Sequence, residues 1–148
     1  MIQQDRDGGQ AETSPSGASG VPEGFNYRHH RLIRSTSMRG LSIRSQELAN
    51  GWESIAVEGE IDLASVEELQ AAIDSAFEEN TESLVVDLNG ATFMDSTGLR
   101  ALVMANRRFS EAGRSFAIAV SGGPVSRLID LSGVDSAIRT VATVEDLS

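Results

Sequence analysis

The sequence LVVDL at residues 84–88 restricts the possible folds of this chain more than any other feature. This run is short, rich in β-branched side chains and apolar except for Asp87. Such a strand is typical of the middle of a parallel sheet, where both faces are covered and no polar alternation is required. We therefore predict that residues 84–88 form the central strand of an α/β domain.

Three helices are predicted around this strand. Apolar side chains recur at intervals of three and four in residues 65–79, and Ser65 and Glu68 have the spacing of a capping box. A second helix ends near Gly113, and a third covers residues 123–131. The apolar positions of the first two helices are Val66, Leu69, Ile73, Ala76 and Phe77, then Leu99, Leu102, Val103 and Phe109.

Further strands are predicted on both sides of these helices. Residues 41–45 alternate between apolar and polar, and an Asn-Gly turn at 50–51 leads into a second strand at 52–57, which together predict a hairpin. Strands at 116–120 and 138–141 follow the second and third helices. The order β-β-α-β-α-β-α-β predicts an α/β fold with a mostly parallel central sheet, an N-terminal hairpin strand and helices packed on the sheet.

The first 40 residues are predicted to lie outside this domain. Residues 1–24 are rich in Gly, Ser, Gln, Pro and acidic residues without an apolar period, a composition typical of disorder. Residues 27–44 then carry arginines and no acid, as either a solvated linker or a basic docking arm would. We divide the chain into a disordered N-terminal tail with a basic approach segment, 1–40, and a folded domain, 41–148.

Charge and composition argue against several classes of function. The net charge is −10 at pH 7, and all 12 basic residues are arginine, so we expect no binding to nucleic acid or anionic lipid. The chain has no cysteine, and His29 and His30 lack further metal ligands, so no metal site is predicted. The apolar runs are too short to span a membrane and the N-terminus has no apolar signal core, so we expect a cytoplasmic protein.

Asp95-Ser96-Thr97-Gly98 is the first candidate functional segment. It lies where a loop from the carboxyl end of a strand enters a helix, a place that collects free N–H groups and the positive end of the helix dipole. One interpretation is that Asp95 or Ser96 only caps the helix. The other is that Ser96 accepts a phosphoryl group, which the helix terminus then stabilises.

Gly59-Glu60-Ile61-Asp62 is the second candidate segment. Asp62 stands just before the first helix, but the predicted capping box of Ser65 and Glu68 leaves it free for another role. If the strands before Asp62 and Asp95 run in the same direction, both carboxylates lie at one edge of the sheet. The sequence then predicts an acidic site that flanks Ser96.

Three motifs, in this order and at these separations, resemble the sulfate-transporter and anti-sigma-factor-antagonist (STAS) domain. They are GEID at 59–62, FMDSTGL at 93–99 and RLIDLSGV at 127–134. The resemblance covers residues 41–148. It implies that Ser96, and not Thr97, is the phosphoacceptor, and that Asp62 lies beside it. Asp95, Thr97, Gly98 and Arg100 complete the implied phosphosite surround and partner-binding region.

The resemblance also implies a partner switch. The unphosphorylated antagonist binds an anti-sigma factor that is also an ATP-dependent serine kinase and thereby releases the sigma factor; phosphorylation of the serine ends the complex, and a serine phosphatase resets it. This chain would be a substrate and ligand rather than an enzyme, with no cofactor of its own. Its sequence agrees, because it has no lysine-containing phosphate loop and no histidine in the domain.

Arg100 departs from the small residue that many members of the family have after the leucine of the motif. It follows Ser96 by four residues, so on a helix it faces the same side and could pair with a phosphate there. Two alternatives remain at this stage. A hydrolase with Ser96 as nucleophile would need a base, and a non-switching STAS scaffold or accessory subunit of a transport or signalling complex would keep the fold alone.

Overall fold

The computed structural model describes residues 34–38 and 41–147. Its regular elements alternate between strands and helices after an N-terminal group of three strands. They are β1 (Arg34–Met38), β2 (Leu41–Glu47), β3 (Glu53–Ile61), α1 (Val66–Glu78), β4 (Ser83–Met94), α2 (Ser96–Glu111), β5 (Ser115–Ala119), α3 (Gly123–Ser132) and β6 (Arg139–Val141). Two single turns of 3-10 helix, Val134–Ser136 and Val144–Asp146, flank β6.

The strands form one sheet in the order of the sequence, β1-β2-β3-β4-β5-β6. β1, β2 and β3 pair antiparallel, whereas β3, β4, β5 and β6 pair parallel. Each parallel pair is joined by a helix, as a parallel connection requires. The predicted α/β class, the mostly parallel sheet and the hairpin of β2 with β3 are confirmed.

Both faces of β4 are covered, as the LVVDL run predicts. Leu84, Val86 and Leu88 are buried in the main core together with side chains of α1, α2 and α3. Val85, which alternation directs to the other face, is fully buried in a smaller cluster with Trp52. The remaining buried members of this smaller cluster are Ala117, Ala119 and Leu147.

β4 is longer than the predicted 84–88, since Asn89 and Gly90 lie inside the strand. The register between β3 and β4 shifts between Ala56 and Glu58, opposite this point. A Cβ atom on Gly90 would lie 2.7 Å from Cγ of Glu58 and 3.0 Å from the carbonyl oxygen of Val57. Glycine therefore allows a close approach at the irregularity, and the strand continues to Met94.

The predicted domain boundary at residue 41 is too late, because β1 lies within the segment assigned to the tail. Arg34–Met38 pairs antiparallel with β2, with Arg34 opposite Ser45 and Met38 opposite Leu41. Edge strands are held by backbone hydrogen bonds and often carry charged residues, so they lack the apolar pattern used to find strands. The predicted disorder of residues 1–33 lies outside the described residues.

Among the described helices, none is both long and apolar enough to cross a membrane.

Candidate functional site

β3 and β4 end side by side, and this brings the two candidate segments together. Ile61 is opposite Met94 in the parallel register, and the backbone N–H of Asp95 donates to the carbonyl oxygen of Ile61 at 3.1 Å. Asp62 and Asp95 are therefore the next residues on two neighbouring strands. The structure brings them to the same edge of the sheet, next to the first residue of α2.

Asp95 is the N-cap of α2. Its backbone is extended, with φ −106° and ψ −170°, and its carboxylate accepts from the backbone N–H of Thr97 at 2.9 Å. The same oxygen accepts a short hydrogen bond from the hydroxyl of Thr97. The side chain thus satisfies an N–H group that the first turn of a helix otherwise leaves without a partner.

The pKa of Asp95 is lowered from its ordinary value. The main cause is the hydrogen bond from the Thr97 side chain, which outweighs the opposing effect of partial burial. Backbone hydrogen bonds from Thr97, Gly98 and Leu63 lower the pKa further. The hydrogen bonds that hold the start of α2 therefore also favour the charged form of the Asp95 carboxylate.

Ser96 is the first residue of α2 and is exposed. Within residues 34–38 and 41–147, its hydroxyl has no hydrogen-bond partner, in contrast to the hydroxyl of Thr97. Of the two residues that the sequence offered as helix caps, Asp95 is the cap and Ser96 is not. The Ser96 hydroxyl is consequently accessible and takes no part in holding the helix.

Asp62 has a structural task that contradicts the sequence-based interpretation. Its Oδ1 accepts from the backbone N–H of Ala64 at 3.0 Å and of Ser65 at 3.1 Å, so Asp62 organises the turn that leads into α1. The hydroxyl of Ser65 donates to the carbonyl of Glu60 at 2.7 Å and accepts from the N–H of Asp62 at 3.0 Å. The Asp62 carboxylate therefore takes part in forming the turn that precedes α1.

The predicted capping box of Ser65 and Glu68 is wrong. Ser65 is the N-cap of α1 but has helical dihedrals, φ −116° and ψ −12°, and makes no side-chain capping bond. A capping hydroxyl needs an extended backbone to reach back over the first turn. One carboxylate oxygen of Glu68, Oε1, is buried without a hydrogen-bond partner in the described part of the chain.

Gly98 is buried where α2 crosses the ends of β3 and β4. A Cβ atom at this position would lie 2.4 Å from Cγ of Met94 and 2.9 Å from Cγ2 of Ile61. Both distances are shorter than a normal contact, so only glycine lets the first turn of α2 approach the two strands this closely. Gly98 therefore positions Ser96 and presents no side chain to a partner.

Arg100 is exposed on α2, one helical turn after Ser96. Neither an ion pair nor a hydrogen bond of its guanidinium group is found with the described residues. A cation four residues after Ser96 faces the same side of the helix.

Two exposed apolar side chains at this edge were not singled out from the sequence. Leu63 is 75% exposed and follows Asp62, and Phe93 is 46% exposed and lies opposite Glu60. The signal was present in the sequence, since Leu63 directly follows GEID and Phe93 is the first residue of FMDSTGL. It was missed because an apolar residue next to a strand is ordinarily assigned to the core.

The described residues contain no group of three or more His, Cys, Asp and Glu side chains arranged to hold a metal ion.

The family model of the STAS domain matches residues 52–147. The chain belongs to the STAS domain family. It is 31% identical over 97 residues to the anti-sigma-F factor antagonist RsfB of Mycobacterium tuberculosis, covering 66% of this chain and 79% of RsfB. This STAS chain thus shares its sequence pattern with a protein named as a regulator.

Solved structures agree with the family assignment. An anti-sigma factor antagonist from Mycobacterium paratuberculosis superposes with a TM-score of 0.67 at 25% identity, covering 72% of this chain and 89% of that one. The anti-sigma factor antagonist SpoIIAA in its unphosphorylated form gives a TM-score of 0.55 at 19% identity, covering 70% and 91%, and its phosphorylated form gives 0.55 at 20%. The likeness to SpoIIAA establishes the fold.

We expect Gly98→Ala to lower the free energy of unfolding by about 1–2 kcal/mol, because overpacking costs about 1–3 kcal/mol and the better helix propensity of alanine returns at most about 1 kcal/mol. Thermal unfolding followed by circular dichroism measures the change. Ser110→Ala, on an exposed position of the same helix, is the control and should not lower the melting temperature. A melting temperature of Gly98→Ala at or above that of the native protein would show that Met94 and Ile61 move aside.

We expect Asp62→Ala to destabilise the domain by about 1 kcal/mol, because it removes the acceptor of two backbone N–H groups. Asp62→Asn keeps an oxygen at that position and should retain most of the stability. Urea unfolding of the two variants and the native protein makes the comparison. An equal loss in both variants would mean that the charge of Asp62, and not its role as acceptor, stabilises the turn.

Proposed function

We propose that this STAS domain is an anti-sigma factor antagonist whose unphosphorylated form binds an anti-sigma factor that is also a serine kinase, so that the sigma factor is released. Phosphorylation of Ser96 ends the complex, and a serine phosphatase restores it. The observation that carries this proposal is the state of Ser96, an exposed hydroxyl at the start of a helix that Asp95 already caps. In this function the protein acts in the cytoplasm as a regulator of transcription, as in a stress response.

The site suits a phosphoserine at position 96 for three reasons. No described hydrogen bond of the Ser96 hydroxyl has to break when it is modified. Residues 96–99 contain no acidic side chain, and the N-terminal end of a helix favours a negative group by about 0.3–1 kcal/mol. Arg100 adds a nearby cation. The modification is therefore compatible with the native fold.

The same geometry favours Ser96 over Thr97 as the acceptor. The Thr97 hydroxyl is only partly exposed and is engaged with the Asp95 carboxylate. Phosphorylation of Thr97 would remove that hydrogen bond and place about −1.5 to −2 charges on the oxygen that now donates to the helix cap. The Ser96 hydroxyl has no hydrogen bond of this kind to lose.

The chemistry of the step is supplied by the partner. Oγ of Ser96 forms a bond to the γ-phosphorus of ATP, the bond from that phosphorus to the β–γ bridging oxygen breaks, ADP leaves, and a base of the kinase takes the hydroxyl proton. No histidine occurs among the residues that the structure describes, since the two of the chain are at positions 29 and 30. A role as substrate, with no reaction catalysed by this chain, is consistent with that inventory.

Charge explains how the modification would release the partner. A phosphate brings about −1.5 to −2 charges to an edge that already carries Asp62, Asp95 and the exposed Glu60. At an effective dielectric constant near 20, two like unit charges about 6 Å apart repel by roughly 3 kcal/mol. Against the phosphates of the ATP bound to the kinase, this repulsion corresponds to a loss of affinity of roughly a hundredfold.

We expect Ser96→Ala to bind the kinase and to resist phosphorylation, and Ser96→Asp to bind at least tenfold more weakly, because it places a negative charge where the phosphate would stand. Thr97→Ala should still accept phosphate. The test incubates each variant with the anti-sigma factor kinase and Mg²⁺·ATP, maps the phosphate by mass spectrometry and measures affinity by calorimetry. Phosphate on Thr97, or full affinity in Ser96→Asp, contradicts the switch. Full affinity in every variant without any phosphate incorporation is the behaviour of a non-switching scaffold.

Arg100→Gln is expected to widen the difference in affinity between the two states by about two- to fivefold, because Arg100 pairs with the phosphate and offsets part of its charge. Calorimetry on unphosphorylated and phosphorylated protein gives this ratio. Phosphorus NMR gives a second readout, since loss of the cation should raise the second pKa of the phosphoserine. Arg107→Gln, at an exposed position farther along α2, is the control. An unchanged ratio and an unchanged phosphate pKa in Arg100→Gln would exclude the pairing.

A further inference from the structure

Four large apolar side chains are exposed in the described part of the chain, and two of them are at the edge that holds Ser96. Leu63 and Phe93 are 75% and 46% exposed, and neither belongs to the apolar clusters of the domain. The other two, Met104 and Leu131, lie on α2 and α3. Burial in the described core therefore does not account for Leu63 or Phe93.

The backbone fixes both residues close to Ser96. Leu63 follows Asp62, and Asp62 and Asp95 directly follow Ile61 and Met94, which are opposite each other in the register of β3 and β4. Phe93 is separated from Asp95 only by Met94, which is buried, so alternation directs the Phe93 side chain to the other face of the sheet. Both apolar side chains thus belong to the edge of the sheet that carries the acceptor hydroxyl.

Charged residues border this apolar pair. Glu60 is opposite Phe93 in the register of the two strands and is exposed, Glu58 is exposed two residues earlier, and Asp62 directly precedes Leu63. An apolar centre with a polar rim is the usual composition of a protein interface. The acidic rim selects a partner whose apolar contact region is bordered by basic side chains.

We propose that Leu63 and Phe93 are the apolar anchors with which this domain docks on its ATP-dependent serine kinase. This inference rests on the proposed function and adds the residues that give the complex its affinity. A kinase that brings the γ-phosphate of ATP to Oγ of Ser96 must cover the surface around that atom. Leu63 and Phe93 are the exposed large apolar side chains there, and their removal from water favours association.

The anchors also give the phosphate its effect. Apolar side chains contribute only when they are fully removed from water, which requires close contact across the whole patch. A phosphate on Ser96 stands at the same edge as the two anchors and retains its hydration. The kinase surface then cannot close on Leu63 and Phe93, and the complex loses its apolar contacts.

The test measures binding and phosphorylation of Leu63→Ser, Phe93→Thr and the double variant. Threonine is chosen at position 93 because it favours the strand conformation of β4. The probe is the purified anti-sigma factor kinase from the same organism, with a non-hydrolysable ATP analogue for affinity and Mg²⁺·ATP for kinetics. Each single variant should raise Kd at least tenfold and raise KM with kcat nearly unchanged, while the melting temperature stays within about two degrees. Leu131→Ser, at a residue 80% exposed on α3, should leave Kd unchanged.

The outcomes separate this inference from the proposed function. If the double variant keeps the Kd and KM of the native protein and Ser96 is still phosphorylated, Leu63 and Phe93 are not the anchors. The proposed switch at Ser96 is then unaffected. An equal rise of Kd in Leu131→Ser would also overturn the anchors, because the effect would not be local. If the kinase neither binds the native protein nor phosphorylates Ser96, both proposals fail.

Discussion

Asp95 joins parts of the chain that are far apart in sequence, and the geometry of the candidate site depends on it. Its carboxylate accepts from the backbone N–H and the hydroxyl of Thr97 at the start of α2. Its own backbone N–H donates to the carbonyl oxygen of Ile61 at the end of β3. One residue therefore connects the start of α2 to the strand end that precedes Asp62.

Because the pKa of Asp95 is lowered, the contribution of its carboxylate to the stability of the fold depends on pH. A carboxyl group whose pKa is lower in the folded than in the unfolded protein stabilises the fold above its unfolded pKa, which is about 3.9, and this stabilisation is lost as the pH falls through the lowered value. At neutral pH the carboxylate is therefore a constant part of the structure. In the proposed function, phosphorylation changes the charge of Ser96 while the Asp95 carboxylate beside it remains ionised.

The sequence was sufficient for the elements that depend on apolar periodicity. The run at 84–88 predicted a strand covered on both faces, and Val85 and Val86 are both fully buried, on opposite faces. The relation between Asp62 and Asp95 could also be inferred, since parallel neighbours end at one edge of a sheet.

Features that depend on backbone hydrogen bonds to distant residues could not be predicted. β1 is held by pairing with β2, and its sequence carries no apolar alternation that would reveal it. The spacing of Ser65 and Glu68 fits a capping box, but Ser65 instead bonds to Glu60 and Asp62, and its helical dihedrals prevent a side-chain cap. Spacing specifies which residues are within reach, whereas the choice among competing acceptors is made by the fold.

Two roles, holding the site together and presenting a surface, are therefore carried by different residues of the site. Asp62, Asp95, Thr97 and Gly98 are engaged in holding the strand ends, the turn and the helix together. Ser96, Arg100, Leu63 and Phe93 are exposed and have no comparable structural role in the described domain. In the proposed function, this division lets the surface change its charge without unfolding, because a phosphorylated residue that also capped the helix would weaken the fold at each modification.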